Sequence, residues 1–342
     1  MDVFIFGVGR SGTTMLYSLC QSIYHHLYGD AYISSYEPYI WNPHLFNAPY
    51  DQTRKLFGKT SSISIEGIYT HLQTPMFVKE EPLPNTLNDV SLNDVFYDRF
   101  SEHSENTAPH LVKFIRANGR MNLFRRLNPK AKFILMIRNP VDLVNSVKHK
   151  FSFYGDDFYP SDFPRFCKEL KEANLLTIDE ERATWAEKQA EYCTQMNRAA
   201  IDFALSDTNT LIFEYDNFNF DKSASVERLC QFLKVPFEAD FDEKVSSPTG
   251  PVTSSITLSE QEFISIVRFD ASHDELCDRV GISRTKSSLD ISHRYKGKCN
   301  NIDYDPSLDG LTTNPLRRMV RQKDHQLREL MHTLSRVNFN VR

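Results

Sequence analysis

The sequence predicts an α/β fold, a parallel β-sheet covered by helices on both faces, and three observations carry that reading. The apolar run Val3-Phe4-Ile5-Phe6 passes directly into the glycine-rich octet Gly7-Val8-Gly9-Arg10-Ser11-Gly12-Thr13-Thr14 and then into a helical pattern. A second apolar run, Phe133-Ile134-Leu135-Met136-Ile137, passes into Arg138-Asn139-Pro140 and another helical pattern. Between and after them, short apolar runs alternate with segments of helical period, as in parallel strands joined by helices.

In chain order, Val3–Phe6 is apolar throughout, as a strand buried on both faces must be. Met15, Leu16, Leu19, Cys20, Ile23 and Leu27 recur at spacings of three and four and give the next helix one apolar face. From Tyr28 to about His110 the chain is irregular. Tyr28, Tyr32, Tyr36, Tyr39, Trp41, Phe46 and Tyr50 crowd its first part, and Pro38, Pro43 and Pro49 interrupt any helix. Leu111–Ile115 reads as a strand, Met121–Leu127 as a short helix, and Phe133–Ile137 as a central strand. Asn139 then offers an N-cap and Pro140 a first helical position, with Val141, Val144 and Val147 on successive turns.

Phe163–Leu205 has a helical pattern, with Trp185, Tyr192, Met196, Ala199 and Phe203 among its apolar positions. Leu211–Tyr215 is a further strand, and Val226, Leu229, Cys230 and Leu233 mark a helix closed by Pro236. Residues 238–315 read as loop-rich and carry the basic cluster Arg294, Lys296 and Lys298. An amphipathic helix through Met319, Val320, Leu327, Leu330, Met331 and Leu334 follows.

Composition bounds the function. At 342 residues and 40% hydrophobic, the chain can bury the core of one domain spanning 1–342. That domain carries an insertion at about 28–110 and a loop-rich part at about 238–342. The formal net charge of −5 argues against nucleic acid as a general partner, so any anion site is a local basic cluster. The six cysteines show no CxxC spacing and read as reduced, buried thiols, which points away from a zinc site. No run of about 18 apolar residues is present to span a bilayer. The first apolar run is too short for a signal peptide and serves as the first strand. The expectation is a cytoplasmic protein that does not insert into membranes and holds no metal.

The octet is the first candidate site. A buried strand, a glycine-rich turn and a helix start aim backbone N–H groups and a helix N-terminus at one point, which makes an anion cradle at the C-terminal end of the strand. Gly7, Gly9 and Gly12 allow close approach, Ser11, Thr13 and Thr14 add hydroxyls, and Arg10 adds a fixed charge. A tight turn with no ligand is the bland alternative. Gly7 and Gly12 have the separation of a nucleotide P-loop, but Thr13 stands where that motif has its lysine. Triphosphate hydrolysis is disfavoured, and a cradle for one 5′-phosphate is retained.

Arg138 repeats the logic at the end of the second strand, and Ser146 follows it by two helical turns, so the pair can grip a second phosphate. Taken alone, a surface arginine and an unrelated helix serine explain the pattern as well.

Taken together, the two motifs resemble the sulfotransferase superfamily, which uses 3′-phosphoadenosine 5′-phosphosulfate (PAPS). There a strand-loop-helix near the N-terminus, matched here by Phe4–Leu16, holds the 5′-phosphosulfate. A later strand-Arg-x-Pro-helix with a serine eight residues on, matched by Phe133–Ser146, holds the 3′-phosphate. Tyr215-Asp216-Asn217-Phe218 looks like the family's Tyr-Glu-Asp-Leu segment, and Cys230–Val235 like the Phe-Leu-Gly helix end. The resemblance spans residues 3 to about 240. The Arg-Ser-Gly-Thr-Thr of the octet is closest to the carbohydrate and tyrosylprotein branches and their soluble bacterial relatives.

The resemblance implies a sulfotransferase fold with a P-loop-like parallel sheet. It implies in-line transfer of a sulfuryl group from PAPS to a hydroxyl or amine of a carbohydrate or small-molecule natural product. Positioning and electrostatic stabilisation are the demands of such a step. Arg10 would stabilise the leaving oxygen and Lys113 would neutralise the sulfuryl oxygens. On pattern alone, an ordinary lysine of an exposed edge strand explains Lys113 equally well. The small-phenol branch carries a Lys-Thr-His whose histidine is the base; here the strand reads Lys113-Phe114-Ile115, so the base comes from elsewhere. Glu37, in Ser35-Tyr36-Glu37-Pro38, matches a glutamate of the carbohydrate and tyrosylprotein branches and is the first candidate base; His110 is the second. Tyr215 would contact adenine. Arg294, Lys296 and Lys298 would close over the cofactor, or form a solvated charge run. The aromatic segment Tyr28–Tyr50 would wall an acceptor pocket, or act as a plain hydrophobic lid. A P-loop-type kinase or NTPase and a non-catalytic nucleotide-binding protein are the alternative functions.

Overall fold

The computed structural model describes residues 1–36, 108–115, 117–151, 167, 170–171, 174–238, 241 and 258–284. Within them lie strands β1 (Val3–Gly7), β2 (Ile33–Tyr36), β3 (His110–Phe114), β4 (Lys132–Ile137) and β5 (Thr210–Glu214). The helices are α1 (Thr13–Tyr28), α2 (Met121–Leu127), α3 (Pro140–Phe151), α4 (Trp185–Ala204), α5 (Tyr215–Phe220), α6 (Lys222–Leu233), α7 (Glu260–Ile266) and α8 (Arg268–Arg279). A 3₁₀ turn spans Asn118–Arg120.

The strands form one sheet in the order β2-β3-β1-β4-β5, and every pairing is parallel. The central strand is therefore β1, with the chain crossing to β3 on one side and β4 on the other. The C-terminal ends of the strands flanking that reversal are where open α/β sheets bind ligands.

Period-2 alternation sends the strand residues to two cores. Phe4, Phe6, Phe114, Phe133 and Leu135 meet Phe124 of α2 and Ala200 and Ile201 of α4 on one face. Val3, Ile5, Leu111, Ile134 and Met136 meet Leu16, Cys20 and Ile23 of α1 and Val226, Leu229 and Leu233 of α6 on the other. Both faces are covered, which is why β1 and β4 read as unbroken apolar runs. The first core is aromatic: Phe6 stacks on Phe114 at 5.4 Å between centroids, and Phe114 sits 4.6 Å from Phe124.

The α/β class, the four strands β1, β3, β4 and β5 and the short helix Met121–Leu127 agree with the sequence reading, whereas β2 (Ile33–Tyr36) lies in the segment read as irregular. Asn139 caps α3 as expected, its side-chain oxygen accepting from Val141 N at 2.9 Å. Four local readings are corrected. The helical pattern of 163–205 does not form one helix: α4 begins at Trp185, where Thr184 and Glu187 close a capping box. Tyr215 does not end a strand but begins α5, because the Glu214 side chain accepts from Asn217 N and turns the chain. Lys234, in a left-handed conformation at φ 61°, ends α6 before Pro236 is reached. The stretch read as loop-rich contains α7 and α8, the former opened by a second capping box, Ser259 with Glu262. Among the described residues no helix is long and apolar enough to cross a membrane.

Candidate functional site

The turn after β1 is built by two glycines with distinct tasks. At Gly7 a β-carbon would lie 2.5 Å from Thr13 Cγ2, 2.6 Å from Ser11 Oγ and 2.8 Å from the Met136 carbonyl oxygen. Any side chain there would push β1, β4 and the turn apart. At Gly12, φ is +97° and a β-carbon would lie 2.3 Å from the Tyr215 ring. Between them, Ser11 N donates to Val8 O at 3.0 Å, and Arg10 adopts a φ of 75°. Gly12 is the N-cap of α1, and no side chain caps the helix. The N–H groups of the first turn are thus left for an anion.

The second motif folds onto the first. Arg138, at the end of β4, donates from Nη1 to the Arg10 carbonyl at 2.7 Å, and its guanidinium lies 4.3 Å over the Tyr215 ring. Arg138 is 2% exposed, and its Nε and Nη2 have no hydrogen-bond partner among the described residues; neither does the buried Ser11 hydroxyl. Arg10 Nε donates to Ser146 Oγ of α3 at 3.2 Å. Arg10, Ser11, Arg138, Ser146 and Tyr215, spread over 200 positions of sequence, therefore line one locus. Three buried donors facing no described partner are costly unless an anion takes them, so the residues present fit a phosphorylated cofactor.

Lys113 enters from the β3 side. The strand is internal, lying between β2 and β1, and the residue is completely buried. The reading of an exposed edge lysine is thereby overturned. Its Nζ donates to Thr14 Oγ1, in the first turn of α1, at 2.9 Å. Thr13 is also buried. Gly9 has no such packing constraint, since a β-carbon there would meet only Ile115 Cδ1, at 3.9 Å.

The structure does not bring His110 to this locus. It is the first residue of β3, paired with Ile33, and its N–H donates to Asp2 Oδ1 at 2.8 Å. In a parallel sheet that is the end opposite the Gly7–Gly12 turn. Glu37, Arg294, Lys296 and Lys298 lie outside the described residues, as does all but the beginning of the aromatic segment.

Several supporting residues escaped the sequence reading. Asn197 Nδ2 and Cys193 Sγ of α4 donate to the Arg138 carbonyl at 3.5 and 3.8 Å. Asn139 Nδ2 donates to Asp270 of α8. Glu214 and His273 face each other at 3.5 Å, both fully buried. Burial pushes the Glu214 carboxyl up, but the His273 hydrogen bond and charge, with the Asn217 and Asp216 N–H groups, pull it below the ordinary range. A carboxyl whose pKa is lowered in the folded state adds stability above the ordinary value of about 4.3 and loses it as pH falls through the lower, folded value. We expect Glu214→Gln to lower the melting temperature at neutral pH. The difference from the native protein should shrink as pH falls below about 4 in thermal melts. A difference that does not change with pH would show that the ion pair adds nothing.

Comparison with known proteins returns one family. The model described as "Sulfotransferase family" matches residues 2–239. No curated protein sequence matches the chain. Among solved structures it is similar to the sulfotransferase domain of the curacin biosynthetic pathway, at 14% identity and a TM-score of 0.41, covering 83% of this chain and 98% of that one. A sulfotransferase from Alicyclobacillus acidocaldarius is similar at 16% identity and 0.40, covering 83% and 96%. A mouse sulfotransferase complexed with PAP is similar at 12% and 0.35, covering 82% and 84%.

Proposed function

The chain belongs to the sulfotransferase family, and from that premise we propose that it moves the sulfuryl group of PAPS to a hydroxyl or amine of a carbohydrate or small-molecule natural product. One observation carries the donor half of this reading. Two strand ends that could each hold an anion are joined by Arg138 to Arg10 and Arg10 to Ser146, with three buried donors left over. A ligand with two phosphate groups satisfies that arrangement, and a mononucleotide with one does not.

Each residue then has a task. The first-turn N–H groups of α1 with Ser11, Thr13 and Thr14 hold the 5′-phosphate. Arg138 supplies two charge-assisted donors to the 3′-phosphate. Ser146 can accept from Arg10 and donate to a phosphate at once, since a hydroxyl does both. Arg10 and Lys113 place positive charge on either side of the turn, where negative charge grows as the phosphate leaves. The donor supplies the activated sulfuryl group; the protein supplies orientation and charge. Tyr215 spends one face of its ring on Arg138, which supports a contact between the tyrosine and the adenosine part of the donor.

Arg294, Lys296 and Lys298 complete the proposal as groups closing over the donor. Support comes from Ser283 and Arg284, just ahead of them in the chain: Ser283 O accepts from Asn217 Nδ2 at 2.6 Å and Arg284 pairs with Asp270 at 3.0 Å, next to the cradle. The five described cysteines are free and buried, which supports a reducing, cytoplasmic setting.

Calorimetry with adenosine 3′,5′-bisphosphate (PAP), AMP, ATP and GTP tests the donor. PAP should bind tightest. Arg138→Ala should weaken PAP by about 1.5–3 kcal/mol, the range for hydrogen bonds to charged groups, and leave AMP unchanged. Equal binding of AMP and PAP to the native protein would remove the 3′-phosphate site, and tighter binding of ATP or GTP would favour a kinase or NTPase.

A further inference from the structure

Helix α8 reaches the cradle from behind at two points. Asp270 and His273 are three residues apart, hence on one face of the helix. Asp270 accepts from the Asn139 side-chain amide, whose oxygen caps α3, so the carboxamide that follows Arg138 is held at both ends. Asp270 also accepts from Arg284 at 3.0 Å, and that guanidinium is buried. His273 meets Glu214 at 3.5 Å, and Glu214 caps the helix that begins with Tyr215. Tyr215 is the ring on which Arg138 lies, and its edge fills the space a Gly12 side chain would need.

One helix face thus fixes the ends of two neighbouring strands, β4 and β5, and Arg138 lies between the two fixed points. A further tether of Arg138 comes from α4, through Asn197 and Cys193 on its carbonyl, beside the bond from its Nη1 to the Arg10 carbonyl. Phe269 packs with Val141 and Val144 of α3, and Leu276 and Cys277 with Ile137 of β4 and Ala200 of α4, so α8 is itself anchored in two cores. The side chain held this way carries buried donors, Nε and Nη2, without a hydrogen-bond partner among the described residues. A guanidinium with several open donors recognises a phosphate only if its plane is held in place.

We propose that Asp270 and His273 are positioning residues that set the Arg138 guanidinium for the 3′-phosphate, so that α8 determines selectivity for a 3′-phosphorylated donor. This rests on the donor reading above.

The test is the ratio of PAP to AMP affinity, because AMP lacks only the 3′-phosphate. A merely structural role would lower the melting temperature without changing this ratio in the folded protein. Asp270→Ala should reduce the PAP preference about 3- to 30-fold, the range for residues that act through a neighbour, with AMP affinity unchanged. Asp270→Asn keeps an acceptor for Asn139 and should keep most of the preference. Asp274→Ala removes a carboxylate of the same helix that contacts Arg284, and should leave the ratio alone. Folded Asp270→Ala with native preference would overturn the proposal, and so would an equal loss in Asp274→Ala. If Asp270→Ala does not fold, His273→Leu, which removes the contact to Glu214, carries the same expectation and the same overturning result. A native protein that does not prefer PAP would sink the donor reading and α8's role with it. Native preference for PAP that survives in the variants would sink α8's role alone.

Discussion

Lys113→Met should lower kcat by about 10²–10³-fold, the range for removing one preorganised charge or donor from a transition state. The lysine is fully buried on an internal strand and reaches Thr14 at 2.9 Å, so its charge acts where water does not screen it. Methionine preserves the length and packing of the aliphatic stem. Losing the hydrogen bond to Thr14 should lower the melting temperature modestly, so the kinetics are read on folded enzyme. PAP affinity should change less than about threefold, because Arg138, Ser11 and the backbone N–H groups at the start of α1 keep their contacts and a group acting on the transition state alone lowers kcat rather than binding. Steady-state kinetics and a melting curve on one preparation decide the matter. Unchanged kcat would place Lys113 among the groups that merely shape the turn.

The parts of this molecule legible in sequence are those whose physics is local. A strand covered on both faces must be apolar throughout, which marks β1 and β4 unaided. Gly7 and Gly12 announce a turn because no other residue fits, one for space and one for a φ of +97°. The residues that hold Arg138 announce nothing. Asp270 contacts Asn139 across 131 positions and His273 contacts Glu214 across 59, and neither carries a local pattern. Their helix could have been approached through its neighbour: Ser259-Glu260-Gln261-Glu262 is a capping box before an apolar run, as is Thr184-Trp185-Ala186-Glu187 at the start of α4. Both signals sit in the sequence. The first lies ahead of a basic loop and the second inside a longer helical period, which obscure them. His110 shows the opposite case: it is near Lys113 in sequence and far from it along the strand. Three residues of a strand span about 10 Å along one direction, which takes it to the other edge of the sheet.

That displacement sharpens the choice of base. Glu37→Gln should lower kcat by about 10²–10⁴-fold with a hydroxyl acceptor, whereas His110→Ala should leave the turnover of folded enzyme near native. Strand β2 runs parallel to β3 and ends at Tyr36, which is paired with Lys113, so it delivers the chain to the cradle side at the residue before Glu37. A glutamate carboxylate can take the hydroxyl proton as the new S–O bond forms; glutamine keeps the shape and cannot. The base must be ionised to act, so native activity should fall as pH drops through its pKa, and Glu37→Gln should lack that acidic limb. PAP affinity should be unchanged, since the donor contacts proposed above come from the Gly7–Thr14 turn, Arg138 and Ser146. Near-native turnover in Glu37→Gln together with loss in folded His110→Ala would reverse the assignment and require His110 to act from the far edge of the sheet. Full activity in both would mean that the acceptor needs little help in losing its proton. An amine or guanidine-type nitrogen would then replace the hydroxyl as the proposed nucleophile.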